Sequence, residues 1–327
     1  MSSKKFLEHS GAQFPIICGA MYPCSNPELI AAVSEAGGIG IIQPLSLTYV
    51  HGYEIREGIR KIKNLTKRPV GFNMLIETSS KAYRKRMEYY LDVALEEGIR
   101  FFVTALGNPR WVVQKVEKHQ AVVYHDVINR DFGQRVLDKG VSGLICVNNR
   151  AGGHLGKKSA EELYQELADL GLPLVCAGGV STRSEFEKAL GLGYEAVQMG
   201  TRFIATTECQ ASEVYKQAIV KAEEKDIVTT ERVTGVSLSV INNDYVQRVG
   251  TKANFLFRAL LKHPKTKHWM RFFYIAISFI KLKQSNFRSN STRDYWQAGK
   301  SVAGIHEIKS VRKIIKELTQ LKAPKAL

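Results

Sequence analysis

The sequence predicts an α/β protein built as a TIM (β/α)8 barrel, with a smaller, mainly helical cap domain near its C-terminus. Two observations carry this. Eight short apolar runs alternate with longer amphipathic stretches over roughly the first 200 residues, and that alternation needs parallel strands joined by crossover helices, eight being the number that closes a barrel. Small or polar residues also follow seven of the eight runs, on the face where a barrel carries its ligands. A doubly wound open sheet satisfies the same alternation and stands as the alternative.

The elements follow in order. Residues 14–20 form the first strand. Asn26-Pro27-Glu28 opens a helix with a cap residue, a proline in the first turn and an acid near the positive end of the helix dipole, and Gly37-Gly38 ends it. Strand 39–43, helix 53–65, strand 69–75 and helix 80–97 come next, then strand 101–104, helix 109–118, strand 121–124 and helix 129–139. Strand 143–147, helix 159–170, strand 174–176, helix 182–190 and strand 196–199 complete the series. After Phe203 the rhythm stops. A helix over 207–224, extended pieces within 228–240, helices over 248–262 and 269–283, and an amphipathic helix over 308–321 returning to the barrel are expected there. The chain thus divides into a barrel (1–205), a cap (206–293) and a C-terminal segment (294–327).

Composition narrows the class. Of 327 residues, 44% are hydrophobic and 24% charged, which is the balance of a soluble globular protein and not of a disordered one. The five cysteines are odd in number, and Cys18, Cys146 and Cys176 lie in strand-like runs, as buried thiols of a reducing compartment do. The N-terminal MSSKKFLEHSGAQF has no apolar core of signal-peptide length, so a cytoplasmic protein is expected. Net charge is +16, of which +11 falls between Asp244 and Asp294, where no acid occurs, leaving +5 elsewhere. No recognisable nucleic-acid module accompanies that basic stretch. The apolar run 272–280 is too short to span a bilayer, which needs about 20 residues, and no His/Cys/carboxylate set has metal-ligand spacing.

The candidate site lies at the strand ends. Gly19, Ala20 and Met21 follow the first strand and Gln43 the second, Asn73 sits near the end of the third, and His125 with Asp126 follow the fifth. The sixth runs into ICVNNRAGGHLG (145–156), a glycine-rich loop that would hold His154 at a strand end, facing a ligand. Gly178-Gly179 and Gly200-Thr201 follow the seventh and eighth, where backbone amides of a barrel commonly cradle a phosphate.

GAM at 19–21, AVSEAGGIG at 32–40, GFN at 71–73, AGGHLG at 151–156, AGGV at 177–180 and QMGTRF at 198–203 together resemble the nitronate monooxygenase (2-nitropropane dioxygenase) family. Its relatives include flavin-dependent enoyl-acyl-carrier-protein reductases. The likeness spans about residues 12–245, with an echo in YWQAGKSVAGI at 295–305. It implies FMN on a barrel: Ala20 and Met21 beside the isoalloxazine, Asn73 bonding the ring, Gly178, Gly179, Gly200 and Thr201 on the phosphate, and Gln198 at the ribityl chain. Gly153 belongs to the same glycine loop, and His154 is the implied catalytic residue. The implied reaction is oxidation of an alkyl nitronate by O2 to a carbonyl compound and nitrite. An NAD(P)H-dependent reductase of enoyl thioesters or quinones is the alternative, with an acidic carrier protein drawn by the basic stretch. A homodimer is compatible with either. His125 is a second histidine candidate, or a structural partner of Asp126.

Overall fold

The computed structural model describes residues 4–77, 80–232, 237–252, 290 and 292–319. Eight parallel strands close a barrel in the order β1 (Ile16–Cys18), β2 (Ile39–Ile42), β3 (Val70–Leu75), β4 (Phe101–Ala105), β5 (Val122–Val127), β6 (Gly143–Val147), β8 (Leu174–Ala177) and β9 (Ala196–Met199). The two-residue strand β7 (Gly153–His154) stands outside that ring. Pairing of Ile17 with Gln198 joins the last strand to the first, which settles the barrel against the open sheet.

Helices α2 (Pro27–Glu35), α3 (Ile55–Leu65), α4 (Lys81–Glu96), α5 (Arg110–Glu117), α6 (Arg130–Leu137), α7 (Ala160–Leu167), α8 (Arg183–Leu192) and the short α9 (Thr201–Ile204) return the chain between strands or follow the last one. Their starts are written locally: Ser159 with Glu162 and Thr182 with Glu185 form reciprocal capping boxes on α7 and α8. Asn26 departs from its expected role. It occupies the cap position of α2, but its side-chain amide donates to the Glu28 carboxylate and the Glu208 carbonyl, so Pro27 rather than a cap bond starts that helix.

Strand alternation divides the barrel into two layers. Ile17, Ile41, Phe101, Val103, Tyr124, Ile145, Val175 and Ala196 fill the inside, while residues of opposite parity such as Phe72, Phe102 and Leu144 pack under the helices. The floor is closed by an element with no counterpart in the sequence-based expectations, α1 (Lys4–Ser10). Phe6 is fully buried edge-on to Phe101 and Tyr124, its N–H donates to Glu195 Oε2 at 2.9 Å, and His9 Nδ1 lies 3.1 Å from the Tyr124 hydroxyl.

Beyond the barrel come α10 (Glu213–Lys221), β10 (Ile227–Thr230), β11 (Leu238–Ile241), α11 (Asp244–Val249) and α12 (Val311–Thr319). α10 is shorter than the expected helix over 207–224, because Gln210 donates its N–H to Asn26 Oδ1 while Glu208 offers its carbonyl to the same side chain. β10, β11 and β7 form an antiparallel sheet in that order, so part of the glycine loop is a strand. α12 buries Val311, Ile314, Ile315 and Leu318 and lies against α2 and α8. The expected helix over 269–283, the run 272–280 and most of the expected helix over 248–262 lie outside the described residues.

Candidate active site

Two residues beyond the barrel's inner core on each strand, the same inward parity brings Gly19, Asn73, Ala105, Asp126, Val147 and Gln198 to the C-terminal mouth. The floor of the mouth is apolar, and the polar side chains of Asn73, Gln198 and Asp126 stand on it, with Gln43 of the same parity after β2 turned to accept the Ser46 N–H. Asn73 is buried. Gln198 Oε1 and Asp126 Oδ1 are buried with no hydrogen-bond partner among the described residues. Gln198 is confined by Gly19, where any Cβ would come within 3.1 Å of its amide carbon. Unpaired buried oxygens are costly, so such a mouth fits a ligand rich in hydrogen-bonding groups.

The rim is built from the loop after β6. Asn148 is fully buried; its amide donates to the Gly178 carbonyl at 2.9 Å, and its Oδ1 accepts the Arg150 N–H at 2.8 Å. Arg150 then makes a two-pronged ion pair with Glu224, both contacts at 2.9 Å. Gly152 lies so close to Gly299 that a Cβ on Gly299 would stand 2.5 Å from the Gly152 nitrogen. Braced on these sides, the loop turns at Gly153 (φ +71°) and pairs Gly153 and His154 with Ser239 and Leu238 of β11.

His154 is therefore placed differently from the expectation of a barrel strand end: it sits on β7, seven positions beyond the end of β6, within the second sheet. Its side chain reaches solvent, yet surrounding protein lowers its pKa through burial, so the neutral imidazole is favoured at pH 7. A group in a concave wall has both properties.

Gly178 and Gly179 adopt φ of +114° and +77° at the end of β8, and Gly200 caps α9. The first amides of a helix have no acceptor within it, so α9 presents its opening N–H groups beside the glycine pair. Thr201 is buried, and its hydroxyl accepts the Gly299 N–H at 3.0 Å. Met21 packs next to Gly200, and Ala20 precedes it at the edge of the barrel interior. Gly178, Gly179, Gly200, Thr201, Gln198, Asn73, Ala20 and Met21 thus meet at one mouth; His154 and Gly153 approach from its rim.

His125 falls elsewhere. It faces the helix layer, buried, with Nδ1 2.8 Å from the Thr104 hydroxyl rather than paired with Asp126, and burial holds its pKa down at about 4. Asp126, its neighbour, has the inward parity, and burial pushes its carboxyl up to about 7. Counting by twos from Tyr124 would have separated the two residues. The Asn148 and Arg150–Glu224 braces carry no sequence signal, since each joins ordinary polar residues far apart in the chain. Among the described residues no group of three or more His, Cys, Asp or Glu could hold a metal ion, and no helix is long and apolar enough to cross a membrane. All five cysteines are buried thiols.

A barrel whose mouth combines a glycine cradle, unpaired floor oxygens and a rim histidine has the parts of an oxidoreductase that binds a phosphate-bearing organic cofactor, and similarity to known proteins supports that class. Residues 3–320 match the nitronate monooxygenase family, and the chain belongs to it. Relatives include a 5-hydroxy-7a-methyl-1-oxo-octahydro-1H-indene-4-carboxyl-CoA dehydrogenase of Rhodococcus jostii, 27% identical over 245 residues, covering 75% of this chain and 67% of that protein. A probable nitronate monooxygenase of Staphylococcus saprophyticus is 25% identical over 279 residues, covering 72% and 78%. Among solved structures, FabK from Thermotoga maritima superposes with a TM-score of 0.80 at 25% identity, covering 96% of this chain and 94% of that one. Nitroalkane oxidase from Streptomyces ansochromogenes shares the fold, with a TM-score of 0.76 at 19% identity over 96% of each chain. The protein is an oxidoreductase of the flavin-using type.

Proposed function

We propose that this protein binds FMN and oxidises alkyl nitronates with O2 to a carbonyl compound and nitrite. The observation that carries the reading is the placement of His154 on β7 at the rim of a mouth whose floor holds unpaired Gln198 and Asp126 oxygens and whose side carries the Gly178–Gly179 and Gly200–Thr201 amides. Those amides would hold the phosphate, Gln198 the ribityl hydroxyls and Asn73 the ring edge, with Ala20 and Met21 alongside. When bound, the flavin supplies the electron acceptance from substrate and the electron delivery to O2.

The chain's own residues do the rest. His154, neutral at pH 7, takes the α-proton of a nitroalkane at one ring nitrogen, or hydrogen-bonds an anion that arrives already deprotonated. Gly153 allows the turn that delivers it, and the β11 pairing fixes its backbone. In this reading residues 1–205 carry the cofactor, 206–293 cover the mouth, and 294–327 close the structure from the side, in a cytoplasmic enzyme.

A second reading is oxidoreduction of a thioester. It is favoured by the relative whose name includes a carboxyl-CoA group and by the +11 stretch between Asp244 and Asp294, which suits an acidic carrier or a CoA phosphate. Anaerobic mixing of the flavin-loaded protein with propyl-2-nitronate, NADH, NADPH or an acyl-CoA decides between them. Bleaching of the flavin by the nitronate, with none by the nicotinamides, is the expected result. Bleaching only by NAD(P)H or the acyl-CoA overturns it in favour of the thioester reading.

A further inference from the structure

The carboxyl group on the floor of the mouth has no part in the steps above. Asp126 lies at the top of β5, two residues beyond Tyr124 on the inward face. In the strand order β5 stands four strands from β1 in either direction, opposite Gly19, and next to β6, whose following loop leads to His154. Asp126 therefore stands one strand from the start of the loop that carries His154 and two strands from β8 with its glycine pair. Its Oδ1 is buried without a partner among the described residues.

We propose that Asp126 is a second proton-carrying residue of the active site, which in its neutral form donates a hydrogen bond to the anion held in the mouth. This rests on the reading of the mouth as a site for an oxyanion over a flavin. A neutral carboxylic acid carries one O–H donor, whereas an ionised one only accepts and would set a second negative charge beside the bound anion. The surroundings favour the neutral form over the charged one. β4 contributes Val103 and Ala105 to the inward face on one side, and β6 contributes Ile145 and Val147 on the other. The titratable groups nearby are Tyr124 one layer below, His125 and the Cys146 thiol facing the helices, and His154 at the rim; burial alone accounts for the upward shift of Asp126, and no cation offsets it. Anion binding then carries a proton with it whenever the solution pH exceeds that of the carboxyl's midpoint.

Nitrate, a planar oxyanion resembling a nitronate but without an oxidisable carbon, is the probe. Its binding to the flavin-loaded protein is followed by flavin absorbance from pH 6 to 9, and proton uptake by calorimetry in two buffers of different ionisation enthalpy. The dissociation constant is expected to rise about eightfold from pH 7.5 to 8.5, with uptake of about 0.9 proton at pH 8. His154→Asn should keep both effects, and Asp126→Asn, which retains an N–H donor, should lose both. A wild-type constant flat with pH, absent proton uptake, absence of nitrate binding, or pH dependence that survives in Asp126→Asn overturns the assignment. Should Asp126→Asn fail to fold, proton uptake that persists in His154→Asn supports it, and uptake lost there overturns it. Nitrate binding is independent of turnover, so a protein that does not oxidise nitronates can still pass this test, and one that oxidises them can fail it.

Discussion

The hydroxyl of Thr201 accepts the backbone N–H of Gly299 at 3.0 Å, joining the helix that follows the last barrel strand to a segment 98 positions later. Both groups are buried, so removing the acceptor leaves an unpaired amide at a cost of about 1–3 kcal/mol. Thr201→Val is expected to lower the melting temperature by a few degrees. Gly299→Ala should cost more, since its Cβ would meet the backbone of Arg150, Ala151 and Gly152 at 2.5–2.9 Å, and backbone cannot swing aside. Thermal melts with limited proteolysis near residue 299 check the order; equal stability of both variants with wild type refutes it.

Two cradle glycines should respond differently. A Cβ at Gly200 meets only the flexible Met21 side chain, at 3.3 Å, whereas one at Gly178 meets Asn148 Oδ1 at 2.5 Å and the Ala151 nitrogen at 2.6 Å from a φ of +114°. Gly200→Val is expected to fold and lose FMN. Gly178→Val should lose FMN and stability together, because it displaces the loop leading to His154. Flavin titration beside melting curves separates the two patterns, and FMN retained by both variants would move the phosphate elsewhere.

Replacing His154 with Asn should spare the preformed nitronate and impair the neutral nitroalkane by roughly 10²- to 10⁴-fold in kcat/KM, the usual worth of a positioned base. Steady-state assays on both substrate forms, with flavin content checked, read this directly. Unchanged activity on both returns the imidazole to a structural role on β7.

Asp126 and His125 are expected to drive stability in opposite directions over one pH range. The Asp126 carboxyl, raised to about 7 in the fold, contributes stability that is present below its unfolded value of 3.8 and is lost as pH rises toward 7. His125, lowered to about 4 from 6.5, contributes stability that is present above 6.5 and is lost as pH falls toward 4. The same sign holds for the lowered His9 and His154. Asp126→Asn should therefore steepen the rise of stability between pH 4 and 6.5, and His125→Asn should flatten or invert it, each by at most about 1.4 kcal/mol per pH unit. Denaturant midpoints at several pH values test the signs.

The barrel was legible because its period is written twice, in apolar runs and in the small residues after them. The turn at Gly178 and Gly179 was legible too, because glycine at a strand end reports backbone geometry directly and both take positive φ. The strand that carries His154 was not. β7 has two residues, and its partner Leu238 is 84 positions away, so neither length nor alternation marks it. Likewise α1 has a single deeply inserted anchor, Phe6, and too few turns to show a helical stripe. Asp126 was visible as a residue but overshadowed by His125, and only the two-residue repeat of the strand tells which of them faces the mouth.

The stopper formed by α1 has a consequence for how the chain is made. Phe6 leaves the ribosome well before the acceptor of its N–H, Glu195, which comes 189 positions later, next to the strand that closes the ring. Contacts so distant in sequence form late, after most of the chain has been ordered around them. The segment that carries Phe6 must therefore wait, its aromatic anchor exposed, until β9 has been synthesised, and the floor of the barrel and its last seam are completed as one event.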